Sequence, residues 1–223
     1  MKLIAFLISL LLTISALHAC DCDNKFKLKV GTFEKTYDIK KLSADAPVKI
    51  AYVYDFADNL HLIQESTKAL YTQLQSRGIL EKVDAIVVPG DKANAMGAIF
   101  AKHIQEKNPD VSLVIFRGSN KSGDFKKVTY TPITSPTPKT LYMREDQAQT
   151  LEGKNVIIFD DVFSTGATVK AASSLVHQAG GNILAYACVA TEGETDGSHG
   201  GKIKETFEGR PLLKVAHLPV IPQ

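Results

Sequence analysis

The sequence predicts an α/β protein: an open, mainly parallel sheet with helices on both faces and a small C-terminal hood. Three observations predict it. Short runs at 49–55, 83–88, 111–116, 156–159 and 183–190 are nearly all apolar rather than alternating, the pattern of strands buried on both faces. Segments of helical period alternate with them. Gly and Pro punctuate the joins at Arg77-Gly78, Pro89-Gly90, Asn108-Pro109 and Gly180-Gly181.

The elements follow in order. Lys2 precedes an apolar run from Leu3 to Leu12 that only Ser9 interrupts, and then Ala16-Leu17-His18-Ala19, so residues 1–19 read as a removable export signal too short to span a membrane. Leu17-His18-Ala19-Cys20 resembles the bacterial lipobox, which makes Cys20 a candidate for lipidation and membrane attachment, with plain cleavage after Ala19 as the alternative. Residues 20–47 form a Lys-rich tether and N-terminal extension, in which Phe26-Lys27-Leu28-Lys29-Val30 alternates like an edge strand. Cys22 falls on this tether, and Cys188 reads as a small buried hydrophobe. The main domain is expected over 48–223. It opens on the strand at 49–55 and a helix over 59–77 that places Leu60, Ile63, Thr67, Leu70 and Leu74 on one face. A second helix holds Met96, Ile99, Phe100 and Ile104, and a third runs from about Gly166 to Gln178. Residues 117–150 lack a strong period and carry Gly118, Gly123, Pro132, Pro136 and Pro138, so they read as a long mobile loop, with room for a hairpin. Residues 191–223 read as the hood, with a late strand at 212–216.

Composition narrows the function. The 223 residues carry 26 Lys plus Arg against 24 Asp plus Glu, a net charge of +2 spread evenly, which argues against a nucleic-acid partner. Three cysteines cannot build a four-cysteine zinc site, and His61, His103, His177, His199 and His217 show no metal-ligand spacing and read as surface residues.

The chemistry concentrates in Val156-Ile157-Ile158-Phe159-Asp160-Asp161-Val162-Phe163-Ser164-Thr165-Gly166-Ala167-Thr168. A buried strand delivers two adjacent carboxylates to the carboxyl edge of the sheet, where ligands bind in open α/β folds. A loop of small and hydroxyl residues then runs into a helix, so backbone N–H groups, the helix dipole and the hydroxyls of Ser164, Thr165 and Thr168 make an anion cradle sized for one phosphate, with Gly166 allowing close backbone approach. Two carboxylates repel a phosphate, so they face vicinal sugar hydroxyls or a magnesium ion. Phosphate plus diol means a ribose 5-phosphate. A bare strand and N-capped helix would use one carboxylate and one hydroxyl and leave the rest unexplained.

Those thirteen residues resemble the 5-phosphoribosyl 1-pyrophosphate (PRPP) signature of type I phosphoribosyltransferases, most like the adenine and xanthine enzymes. The resemblance implies that Asp160 and Asp161 hold the ribose 2- and 3-hydroxyls and that the loop Val162, Phe163, Ser164, Thr165, Gly166, Ala167 and Thr168 surrounds the 5-phosphate. It implies Mg2+ bound through PRPP, with no direct protein ligand, and a homodimer. In that family the loop after an earlier strand binds pyrophosphate, often with an unusual peptide bond and a basic residue; here Asp91, Lys92 and Ala93 occupy it, with Lys92 the candidate and a solvated lysine at a helix start as its alternative reading. Arg117 and Lys121 resemble an Arg-Lys pair that opens the mobile loop, separated here by Gly118-Ser119-Asn120, with Lys126 or Lys127 as substitutes for Lys121. Asp160, Asp161, Lys92 and Arg117 are thus the candidate catalytic set. Ser164 stands where hypoxanthine-guanine enzymes carry an acid, which weakens that substrate reading. Glu192 reads as either a ligand or a strand-end acid on the surface, with the surface the expected place because unpaired acids are rarely buried.

The resemblance implies transfer of the 5-phosphoribosyl group from PRPP to a purine-like nucleobase with loss of pyrophosphate. Because PRPP is cytoplasmic and the leader predicts a periplasmic or membrane-anchored protein, the alternatives are an exported non-catalytic nucleotide- or phosphoribosyl-binding protein and an envelope protein that only inherited the fold.

Overall fold

The computed structural model describes residues 24–41, 48–119, 124–131, 137–193 and 206–222; the leader, Cys20, Cys22, Lys121 and His199 lie outside them. The N-terminal extension is a hairpin of β1 (Lys25–Val30) and β2 (Phe33–Lys40), turned at Gly31 with φ 56°. Its alternation works as the sequence predicts: Leu28 and Val30 face the core while Lys25, Lys27 and Lys29 face water. A short β3 (Val48–Ala51) pairs with β2.

The chain then leaves the sheet. Residues 52–55 are not strand, a departure from the expected first strand of the parallel sheet, because Asp55 is captured from both sides. Its carboxylate accepts from Lys35 Nζ and Tyr37 Oη, both at 2.7 Å, and its carbonyl accepts from Asn59 N at 3.0 Å, which turns the chain into α1 (Leu60–Ser76). Asn59 caps that helix by accepting from Leu62 N.

Next come β4 (Ala85–Pro89), α2 (Asn94–Gln105) and β5 (Ser112–Phe116). The expected long loop at 117–150 holds an antiparallel pair, β6 (Asp124–Tyr130) and β7 (Lys139–Arg144), and a helix, α3 (Glu145–Leu151). The helix went unread because it is only seven residues long and its capping box uses Arg144 with Gln147 instead of a Ser or Thr. The chain closes with β8 (Asn155–Phe163), α4 (Ala167–Gln178), β9 (Asn182–Glu192), β10 (Thr206–Phe207), β11 (Arg210–Leu218) and β12 (Val220–Pro222).

The main sheet has the order β10-β11-β9-β8-β4-β5, parallel except for β10. Alternate residues of its central strands feed opposite layers, as a doubly covered sheet requires. Ile86, Val88, Ile157 and Phe159 pack with Leu70 of α1 and Phe100 of α2, whereas Val87, Val156 and Ile158 pack with Leu175 and Val176 of α4. Cys188 is buried in the second layer, as the sequence suggested. Gly97 has no Cβ because one there would collide with Val88, and its absence lets α2 lie close on β4.

The region read as a hood is built differently. The late strand lies within β11, beside β9 in the main sheet, and β12 crosses to pair with β3. The second sheet, β1-β2-β3-β12, therefore joins the two ends of the described chain next to the carboxyl edge of the main sheet.

Candidate functional site

A cleft of about 980 Å³ opens at that edge. Its floor is residues 160–169, from the end of β8 through the first turn of α4. One wall is Pro89, Gly90, Asp91 and Lys92 after β4; another is Tyr130 and residues 138–142 of the β6–β7 pair; the roof is residues 50–53 and Phe56, and Glu192 and Leu218 complete the lining.

Asp160 is only 8% exposed. Its Oδ1 accepts from the backbone N–H of Asp161 at 3.0 Å, and Asp161 Oδ1 accepts from Val162 N–H at 2.8 Å, so the two carboxylates sit side by side at the strand end. Burial first, and then the neighbouring Asp161 charge, pushes the Asp160 carboxyl well above its ordinary range, while Lys92 pulls the other way. A cation or hydroxyl donors entering the cleft would relieve that cost.

Past Phe163 the loop turns on Gly166, whose φ of 76° is left-handed and which caps α4. Close approach there is real, but its partner is a ring: a Cβ at Gly166 would lie 2.7 Å from Phe207 Cε2. Phe207 belongs to an aromatic cluster with Phe163 and Tyr186, and Tyr186 Oη meets Ser173 at 2.9 Å and donates to Glu208 at 2.7 Å. The cradle is thus buttressed from behind by β10. Phe163 is core, its ring turned into this cluster and 1% exposed. Ser164, Thr165, Gly166, Ala167 and Thr168 line the cleft at the amino end of the twelve-residue α4, where N–H groups and dipole favour an anion.

The structure brings Asp91 and Lys92 to the same cleft, both exposed at its wall. Ala93 is fully buried as the residue before α2, so its side chain makes no wall. Every described peptide bond is trans, including those of this loop. Arg117 is not among the lining residues; its backbone pairs with Tyr142 (3.1 and 2.9 Å), and Gly118 and Tyr142 face the cleft instead. Lys126 donates to the Gln178 carbonyl at the far end of α4, and neither Lys126 nor Lys127 is among the lining residues.

Of its two readings, Glu192 departs from the surface one. It is half-buried and lines the cleft rather than the surface, and burial, then the charge of Asp161, raises its carboxyl above the ordinary value, an effect partly offset by the Ser164 hydroxyl. The roof residues Tyr52, Val53 and Phe56 and the wall residues 138–142 were also unread. Tyr52 and Tyr54 looked like strand residues, yet both are exposed, and no periodicity separates a strand from a roof of this length.

Among the described residues no group of three His, Cys, Asp or Glu is gathered to hold a metal ion.

A family model for the phosphoribosyl transferase domain matches residues 54–220, which contain the whole cleft floor and the wall after β4. The chain belongs to this family. Among curated relatives, this chain is 25% identical over 183 residues to an HGPRTase-like protein of Halomicrobium mukohataei, covering 79% of this chain and 90% of that one. An adenine phosphoribosyltransferase of Bifidobacterium longum is 33% identical over 67 residues, 30% of this chain and 32% of that one. The adenine phosphoribosyltransferase structure from Thermoanaerobacter pseudethanolicus superposes with a TM-score of 0.61 at 20% identity, covering 80% of this chain and 95% of that chain, and so shares the fold. The predicted α/β class, with its parallel sheet flanked by helices, is the observed one.

Proposed function

We propose that the protein transfers the 5-phosphoribosyl group of PRPP to a purine-like nucleobase and releases pyrophosphate. The observation that carries this reading is the meeting, in one cleft, of an adjacent carboxylate pair, a phosphate-sized helix amino end and a lysine from the neighbouring strand's loop. Names among the relatives support a purine-type acceptor without choosing one: both HGPRTase-like and adenine phosphoribosyltransferase descriptions occur.

In this reading Asp160 and Asp161 accept hydrogen bonds from the ribose 2- and 3-hydroxyls, and the N–H groups and hydroxyls of Ser164, Thr165 and Thr168 hold the 5-phosphate. Fixing both ends of the ribose presents carbon 1 to the roof and its leaving group to the wall. Lys92 supplies positive charge as pyrophosphate departs, with Asp91 and the Ala93 backbone shaping its loop. Arg117 and Lys121 are assigned to the same role. Mg2+ carried by PRPP would neutralise the diphosphate and polarise the bond to carbon 1. The β6–β7 wall then excludes water from the developing cation. We further propose an exported protein anchored through lipid on Cys20 and assembled as a homodimer; mass spectrometry of the mature N-terminus and light scattering test these two points.

The experiment is pyrophosphate release from PRPP and magnesium, scanned over adenine, xanthine, hypoxanthine, guanine and orotate. Release with one purine is the expected result. Calorimetric binding of PRPP without release for any base would replace transfer with capture of a phosphoribosyl compound.

A further inference from the structure

A nucleobase attacking carbon 1 through a ring N–H must lose that proton, and the proposed reaction so far names no group to take it. Among the described residues the cleft holds four carboxylates and no histidine. Asp160 and Asp161 lie together at the strand end facing the ribose position, each already accepting a backbone N–H. Asp91 sits beside Lys92 on the exposed wall where pyrophosphate leaves. The lysines carry no acceptor, and neutral hydroxyls of Ser, Thr and Tyr are weak bases.

Glu192 remains, and its surroundings suit a flat heterocycle. It ends β9, register partner of Leu218 on β11 and one residue beyond the Phe163–Thr191 pair. Val53, Phe56, Val162 and Leu218 belong to one apolar cluster and all line the cleft, and Leu218 is the neighbour of Glu192 across the strands, so the cleft is partly apolar there. Ser164, on the floor, is close enough to bias the Glu192 carboxylate. The loop thus lacks an acid of its own at position 164, and the neighbouring strand brings one to the same place.

Resting on the proposed transfer, we infer that Glu192 is the proton acceptor for the nucleobase nitrogen that attacks carbon 1. The base N–H bond breaks and its electron pair forms the N–C1 bond. The C1–O bond breaks with its pair leaving on pyrophosphate, and the proton ends on the Glu192 carboxylate. No oxidant or further reactant enters. Partial burial makes this carboxylate a stronger base than a solvated one, as a proton acceptor near neutral pH requires.

The test compares wild type with Glu192→Ala and the near-isosteric Glu192→Gln on three readouts: kcat, rescue by added formate, and calorimetric affinity for ribose 5-phosphate. Both variants are expected to lose about a hundredfold in kcat. Formate restores the Ala variant in a concentration-dependent way, and ribose 5-phosphate binds all three proteins alike. Unchanged kcat, or a loss that formate does not rescue in Glu192→Ala while Glu192→Gln binds ribose 5-phosphate normally, overturns the assignment alone. Weakened ribose 5-phosphate binding in both variants makes Glu192 part of the phosphoribosyl site and also overturns it. A wild-type protein that binds no ribose 5-phosphate and releases no pyrophosphate overturns the transferase reading itself, and the assignment with it.

Discussion

Asp55, where the N-terminal extension meets α1, and Asp160, at the end of β8, are both nearly out of water, 5% and 8% exposed, yet the chain treats them in opposite ways. Asp55 is surrounded by donors: Lys35 and Tyr37 at 2.7 Å and Asn59 Nδ2 at 3.2 Å. Burial alone would raise its carboxyl, but those hydrogen bonds outweigh it and hold the group below its ordinary range. Asp160 has one backbone donor and, beside it, a second carboxylate, so burial and like charge push it up. A fold that supplies every partner makes a structural acid. A fold that withholds them leaves a buried charge whose partners must arrive with a ligand.

The largest effect that tests this contrast is on binding. Asp160→Asn combined with Asp161→Asn is expected to lower kcat/KM by at least about a thousandfold, roughly 4 kcal/mol of transition-state stabilisation. Its melting temperature should stay level or rise, because the substitution removes a charge that the fold does not compensate. Pyrophosphate-release kinetics with thermal unfolding check both halves; a double variant that binds PRPP as wild type does would sink the assignment of the ribose diol to this pair.

Gly166 carries the next effect, because it lines the cleft and abuts the core at once. A Cβ there meets Phe207 and must adopt a φ of 76°, so Gly166→Ala combines backbone strain of about 1–2 kcal/mol with overpacking of about 1–3 kcal/mol. Unfolding in urea should show a loss of roughly 2–5 kcal/mol, accompanied by weaker binding of ribose 5-phosphate. Weaker binding at unchanged stability would mean that Phe207 moves aside freely and does not buttress the loop.

The two acids also mark what the sequence could disclose. Asp160 and the residues down to Thr168 form one continuous stretch, so adjacency in sequence was adjacency in space and the floor of the cleft was legible. Three inner parallel strands, 83–88, 156–159 and 183–190, were legible for a similar reason: burial on both faces writes itself as an unbroken apolar run, which edge strand 111–116 shares although its Leu113 is exposed. The Asp55 network joins residues 35, 37, 55 and 59 from three elements, and its strand-like aromatic neighbours concealed the turn. Glu192 read more readily as a surface strand-end acid because its neighbours Ser164 and Asp161 lie about thirty residues away, across the β8–β9 pairing. The second sheet escaped for the most distant reason, since β3 meets β12 across nearly the whole chain.

Asp55→Asn should do the reverse of the β8 substitutions. Removing the charge leaves Lys35 and the Tyr37 hydroxyl with a poorer acceptor, at a cost of about 2 kcal/mol, and leaves PRPP binding intact. The pH dependences have opposite sign. Asp55 is depressed in the folded state, so its stabilisation is full above the ordinary value of 3.8 and fades as pH falls through the folded value. Asp160 is raised, so its contribution is intact below 3.8 and is lost as pH rises through the folded value. Measured against wild type by urea unfolding, Asp55→Asn should therefore lose its deficit on acidification, and Asp160→Asn should lose its advantage. Parallel trends for the two variants would contradict the contrast between them.

Lys92→Ala is the smallest and the most discriminating change. Lys92 is exposed at the wall, so its loss should scarcely alter stability, and an exposed charge acting on a ligand is worth about a tenfold change, roughly 1.4 kcal/mol. It also lies close enough to offset part of the rise at Asp160, so removing it should raise that carboxyl further and move the fade of the Asp160→Asn advantage to higher pH. Calorimetry separates the roles: pyrophosphate affinity should fall while ribose 5-phosphate affinity holds. If both fall equally, Lys92 acts through Asp160 on the whole site, and the division of the cleft into a phosphoribosyl floor and a pyrophosphate wall gives way to a single electrostatic unit.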